Sequence, residues 1–217
     1  MSNQDSFINE VSEEVRKDKL YALMKRYGWI AVALILLVVG GASVLEWQKA
    51  KARTQAEATG DALISALSEE TPEARAAAIA AFEATGGPDQ RAVVGLLKAA
   101  AEAEAGDDAQ ARVTLGEIAA DGETPELYRN LAILKAAMLP GAAPEDRISR
   151  LQPIMEAGNP FRLLAIEQRA LAEIEMGQTD AAIETLQGIM ADADRTEGLR
   201  RRASQLIVAL GGTLEES

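Results

Sequence analysis

Cysteine and histidine are both absent from this chain. Without thiols there is no disulfide and no thiol nucleophile. Without imidazole there is no histidine general base, and nearly every zinc site loses its ligands. The missing cysteines say nothing about compartment, because a helical domain of this size needs no staples. Aromatic residues are scarce at 4 %, while alanine is abundant. Alanine is the best helix former and lets helices approach closely, and no segment alternates in the strand pattern, so an all-α chain without β-sheet is expected. Positive charge is in short supply. The net charge of −12 argues against nucleic acid, which demands a basic surface, and disfavours broad contact with an anionic lipid surface.

One uncharged stretch stands out, the 19 residues from Tyr27 to Leu45, between Arg26 and Glu46. As a helix it is about 28 Å long at ~1.5 Å per residue, close to the ~30 Å hydrocarbon core of a bilayer. Tyr27 and Trp29 at one end and Trp47 at the other are the aromatic residues that favour a membrane–water boundary. A buried core helix is the competing interpretation, but nothing else in the chain is apolar enough to surround one. A cleaved signal peptide would need a short basic start, whereas the 26 preceding residues include five acids. A retained transmembrane helix over 27–45 is therefore expected. Five basic residues precede the run (Arg16, Lys17, Lys19, Lys25, Arg26) and three follow it (Lys49, Lys51, Arg53). That bias favours a cytoplasmic N-terminus and an exported C-terminal domain.

Residues 1–26 read as an amphipathic cytoplasmic segment. Ile8, Val11, Val15, Leu20, Leu23 and Met24 form its apolar stripe, opposite a charged face. Such a helix either lies on the membrane surface, docks a partner, or merely precedes the anchor. Residues 46–67 read as a helical connector that runs into a repeat domain over 55–217. After Arg53 there are 14 basic and 28 acidic residues, so this domain carries −14.

The repeat shows in aligned positions. Gly106, Ala111, Leu115 and Ile118 recur as Gly177, Ala182, Leu186 and Ile189. A copy between them runs from Gly141 through Leu151 to Ile154, with Arg147 in the small-residue slot. Leu115 to Leu151 is 36 residues and Leu151 to Leu186 is 35. An earlier, weaker copy contains Ile79 and Phe82. Helix pairs are expected at roughly 55–88, 89–124, 125–160 and 161–197, with a capping helix over about 198–210 to cover the open end. Thr-Pro-Glu at 71–73 and at 124–126 reads each time as a threonine cap followed by proline in the first helical turn.

Catalytic candidates are thin. Asp107-Asp108 and Glu215-Glu216 are paired carboxylates, but they sit at a helix start, where acids favour the dipole, and at the terminus. No calcium loop, phosphate-binding glycine loop or hydrolase serine motif is present. No enzyme activity, cofactor, metal or small-molecule substrate is expected.

The glycine, small residue and large apolar residue at these spacings resemble the tetratricopeptide repeat, a helical hairpin of 34 residues. The first-helix aromatic positions of that family are mostly missing, Pro160 keeps the closing proline, and Pro125 displaces it. The resemblance implies a degenerate solenoid whose first helices line a protein-binding groove. The candidate positions are Leu96, Glu104, Arg129, Leu164, Glu167, Leu171 and Ile174, accompanied by Val93, Ala100, Ala132 and Ala136. The whole layout, including YGWIAVALILLVVGGASVLEWQKAKA, resembles the ancillary SecYEG translocon subunit family of bacterial inner-membrane proteins with a periplasmic repeat domain. That resemblance implies a scaffold beside the Sec channel, working with periplasmic chaperones on exported chains. The residues alone leave two alternatives open: an accessory or assembly subunit of another inner-membrane complex, respiratory or envelope-building, and a carboxylate-based enzyme.

Overall fold

The computed structural model describes residues 3–82 and 86–213; on the first helix it describes the side chains of Lys25, Ile30, Leu34 and those from Leu36 onward. Its described residues form nine α-helices and no strand: α1 (Asn3–Leu67), α2 (Pro72–Ala80), α3 (Pro88–Glu104), α4 (Asp108–Ala120), α5 (Glu126–Met138), α6 (Pro144–Leu151), α7 (Arg162–Glu175), α8 (Thr179–Ala191) and α9 (Glu197–Ala209), with one 3-10 turn at Gln152–Ile154. The protein is all-α. It divides into two units, Met1–Ala58 and Thr59–Ser217, and the division falls inside α1.

In the first unit, the apolar run is helical throughout. Tyr27 and Trp29 lie outside the described side chains, as do the apolar stripe and charged face expected over 1–24. Leu36, Leu37, Val38 and Val39 are consecutive and each more than half exposed. At 100° per residue they cover a full turn, so every face of the helix is apolar there. Ser43 donates its hydroxyl to the Val39 carbonyl at 2.8 Å, which satisfies this polar side chain within the helix itself. Trp47 is exposed, with the Lys51 ammonium 5.9 Å from its ring centroid. Among the described residues no helix is long and apolar enough to cross a membrane, and the run itself is only partly among those residues.

The second unit is a succession of helical hairpins. Connections of three residues between α3 and α4 and between α7 and α8 force the chain to reverse. Glycine makes these reversals possible: Gly106 and Gly177 have φ of +83° and +72°, a region that costs other residues roughly 1–2 kcal/mol. Both turns close as Schellman motifs, with Asp107 N–H on the Glu102 carbonyl and Gln178 N–H on the Glu173 carbonyl, each at 2.9 Å. Helix starts are capped from the sequence as well. Thr71, Asp107 and Thr196 accept from the backbone three residues on, and proline opens α2, α3 and α6. Thr124 departs from expectation. It donates its hydroxyl to Asp121 at 2.8 Å, and Pro125 takes the cap position of α5. The Asp121 carboxylate at the end of α4 accepts the hydroxyl proton and holds the Thr124 side chain toward α4.

Each hairpin buries its own aliphatic cluster against the next. Ala66, Ile79 and Ala101 join α1, α2 and α3; Ala99, Leu115, Ile118 and Ala132 join α3, α4 and α5. Leu134, Ala137, Leu151, Ile154 and Ala165 continue through α5, α6, the 3-10 turn and α7. Ala170, Leu186, Ile189, Leu199, Ala203 and Ile207 close the series on α9. Ala111 and Ala182 are fully buried because a larger side chain would separate the helices of a hairpin. Gly95 does the same for Ile118, whose Cδ1 would lie 2.9 Å from a Cβ at that position.

Two hairpins agree in polar detail. Thr114 donates to buried Glu102 at 2.7 Å, and Thr185 to buried Glu173 at 2.7 Å. Each glutamate has a cation one helical turn earlier, Lys98 at 3.8 Å and Arg169 at 2.7 Å. The middle hairpin differs. Arg147 occupies the alanine slot yet is buried, its Nη1 placed 2.9 Å from both Glu175 carboxylate oxygens on α7. Its Nε is buried and has no partner among the described residues.

A candidate protein-binding groove

Three first helices, α5, α7 and α9, leave a groove of about 630 Å3 open to solvent. Leu134 and Met138 come from α5, Leu164, Glu167, Gln168 and Leu171 from α7, and Arg202, Gln205, Leu206 and Ala209 from α9. The spacing explains the shared face: 164, 167/168 and 171 step along one side of a helix, as do 202, 205/206 and 209. The adjoining flanks of the same helices supply buried Ala165, Ala172, Leu199 and Ala203. Met138 is 60 % exposed and Leu164 39 %, so the groove presents apolar surface that no described residue covers.

The polar residues of the groove are arranged around one ion pair. Glu167 is buried, and Arg202 on α9 donates Nε and Nη2 to its two oxygens, each at 2.7 Å. The hydrogen bonds from Arg202 to the Glu167 carboxylate hold the arginine pKa above its ordinary value. As an ion pair the two side chains are formally neutral as a unit. Bidentate geometry also fixes the plane of the guanidinium. Half of the Arg202 side chain remains exposed, and among the described residues Nη1 has no protein acceptor.

The positions expected to line a groove separate into two groups. Leu164, Glu167 and Leu171 stand together in it. Leu96 packs instead against the Ala99–Leu115–Ile118 cluster, and Ala132 is fully buried. Glu104 is exposed and ion-paired with Arg75 of α2 at 3.3 Å. Arg129 is half-buried and donates to the Thr124 carbonyl at 2.6 Å, bracing the turn before α5. Ile174 is half-buried and outside the groove. Gln205, Leu206 and Arg202 were missed because α9 was treated only as a cap. The separation of Glu167 and Arg202, 35 residues, is one repeat period and was the available signal.

Other concavities are already occupied by ion pairs. The one between α7, α8 and the 3-10 turn contains Arg162 and Asp192 bonded to each other at 2.7 Å, and Arg169 bonded to Glu173. Among the described residues no group of three acidic side chains could hold a metal ion. No family model matches this sequence, and neither a curated protein nor a solved structure matches it.

Proposed function

We propose that the protein is a membrane-anchored, protein-binding scaffold at the Sec translocon, which assists export or folding of secreted chains together with periplasmic chaperones. The observation that carries the binding part is the open groove on α5, α7 and α9: apolar, formally neutral and free of catalytic groups. The hairpin succession supports a degenerate tetratricopeptide-like solenoid, an architecture that ordinarily offers such surfaces to polypeptides. The exposed, all-round apolar turn at 36–39 supports the anchor, because a helix with no polar face needs lipid or protein around it. Trp47 and its flanking Lys51 suit the interface at the end of that run. The charge bias supports an N-terminus in the cytoplasm, and the layout of the chain supports the bacterial inner membrane and the translocon.

The mechanism follows from tethering. An anchored domain stays near the channel exit, which raises its effective concentration toward each emerging segment. Weak apolar contacts then suffice for transient capture. The −14 of the domain keeps it soluble and repels acidic clients.

Brief in-cell crosslinking, followed by affinity purification of the full-length protein in mild detergent and mass spectrometry, tests this reading. Recovery of the Sec channel with periplasmic chaperones is the expected result. Recovery of one other stoichiometric inner-membrane complex without the channel overturns it and makes the protein an accessory subunit.

A further inference from the structure

We infer that Met138 is an oxidation site: a peroxide converts its thioether to the sulfoxide, and this switches off apolar binding at the α5–α7–α9 groove while leaving the fold intact. The inference rests on the reading of that groove as a binding surface.

Sulfur is confined to six methionines, and the chain has no cysteine, so no thiol competes for an oxidant. Met1 and Met24 lie outside the described side chains. Of the four described, Met155 and Met190 are half-buried and packed against the aliphatic clusters of their hairpins. Met176 is half-buried too, at the end of α7. Met138 differs. It is 60 % exposed and lines the groove with Leu134, Leu164 and Leu171. Susceptibility to oxidation follows exposure, so Met138 reacts first among these four. Its sulfur lone pair attacks one oxygen of hydrogen peroxide. An S–O bond forms, the O–O bond breaks, and sulfur loses two electrons to the peroxide. The departing hydroxide takes the proton from the transferred hydroxyl and leaves as water.

Placement decides the consequence. Helix α5 holds its neighbours through buried Ala132, Leu134 and Ala137, and Met138 belongs to none of the aliphatic clusters. A polar group added at Met138 therefore leaves the core as it was. The groove does change. An apolar ligand that covers a sulfoxide must strip water from its oxygen, which is costly without a new hydrogen bond. Methionine also has a use at this position that leucine would lack. Its unbranched thioether adapts to ligands of varied shape, and the same sulfur makes the contact oxidisable. Sulfoxide reductases, one for each epimer, reverse the change. The exported side that the proposed function gives this domain is an oxidising compartment.

The test uses the full-length protein in zwitterionic lipid nanodiscs, with empty nanodiscs subtracted. The protein is treated with hydrogen peroxide for graded times and peptide-mapped by mass spectrometry. Fluorescence anisotropy then gives its Kd for a labelled, acetylated and amidated peptide of Leu, Val, Gln and Ser. Met138 should gain one oxygen before Met155, Met176 and Met190. Kd should rise about tenfold as it does, with the melting curve within a few degrees of the untreated protein's. Both sulfoxide reductases with dithiothreitol, which is harmless to a chain without disulfides, should restore Kd. Met138→Gln should weaken binding without peroxide. Met138→Leu, whatever its own Kd, should show no further change on peroxide treatment. Oxidation of Met155, Met176 or Met190 ahead of Met138 overturns the inference and leaves the groove reading standing. An unchanged Kd in protein fully oxidised at Met138, or a melting curve that falls with that oxidation, does the same. An equal peroxide response in Met138→Leu overturns it too, because another residue then carries the effect. A reduced protein that binds no peptide removes the groove reading and this inference with it, while Sec-channel crosslinks in cells judge the translocon reading separately.

Discussion

Arg147 is the side chain most out of place, and its replacement makes a quantitative test of what holds α6 against α7. It stands where the neighbouring hairpins have fully buried Ala111 and Ala182, and it is itself only 8 % exposed. Its Nη1 meets both oxygens of Glu175 at 2.9 Å, but Nε is buried with no partner among the described residues. Glu175 is half exposed, so it can be resolvated when the arginine is removed. The ion pair is thus worth no more than the ~1 kcal/mol of a partly exposed bridge, while the orphaned Nε–H costs about 1–3 kcal/mol. Arg147→Met keeps most of the aliphatic volume and removes both terms. It should leave stability within about 1 kcal/mol of the parent or raise it. Arg147→Ala leaves a void instead, and at ~24 cal/mol per Å3 of residual cavity it should cost about 1–3 kcal/mol. Urea denaturation of the purified protein, followed by far-ultraviolet circular dichroism, reads both. A loss above ~2 kcal/mol for Arg147→Met would refute the reasoning, because the charge itself would then be holding the two hairpins together.

Gly177→Ala should lower stability by about 1–2 kcal/mol, since φ is +72° there and an L side chain is strained in that region; Gly177→Asn should cost less, and thermal melts compare the two. Leu186→Ala, in the cluster that seats α9, should cost about 2–5 kcal/mol, and hydrogen exchange should show the loss first in α9. Acid should destabilise the repeat unit through Asp121 and Asp192. The backbone N–H of Glu123 and then the Thr124 hydroxyl hold Asp121 below the usual carboxylate range; the Arg162 side chain and then the backbone N–H of Asp194 do so for Asp192. Because the folded pKa lies below the unfolded one, this stabilisation is complete above the unfolded value of about 3.9 and is lost as pH falls through the folded value. Melting temperature should therefore be flat from pH 7 to 5 and fall below about pH 4, and Asp121→Asn with Asp192→Asn should flatten that fall; an unchanged slope would remove both carboxylates from the account.

Local rules made most of the helices legible. Gly106 and Gly177 end helices because their positive φ is easy for glycine, and Thr71 and Asp107 begin others through their own side-chain oxygens. The aliphatic positions 115, 151 and 186, spaced by one period, are all buried. Rules of this kind need only neighbours in sequence, and such signals survive in a single chain. Thr124 departs from the pattern because the Asp121 carboxylate, three residues earlier, accepts its hydroxyl proton and holds the side chain toward α4 rather than toward the start of α5.

The groove was less legible for a reason that is physical rather than statistical. Whether an apolar residue on a first helix faces the groove or the next hairpin depends on a rotation of a few tens of degrees. Leu96 and Leu164 carry the same side chain on first helices, yet one packs into the α3–α4–α5 cluster and the other stands 39 % exposed. The difference lies in the neighbours. Leu96 faces α4 and α5, whereas Leu164 looks across the groove toward α9, the last helix, with no further hairpin packed beyond it among the described residues. An end helix in a stack has only one neighbour to satisfy, so its other face is left for something outside the stack. Arg202 lines that face and is bonded across it to Glu167 of α7.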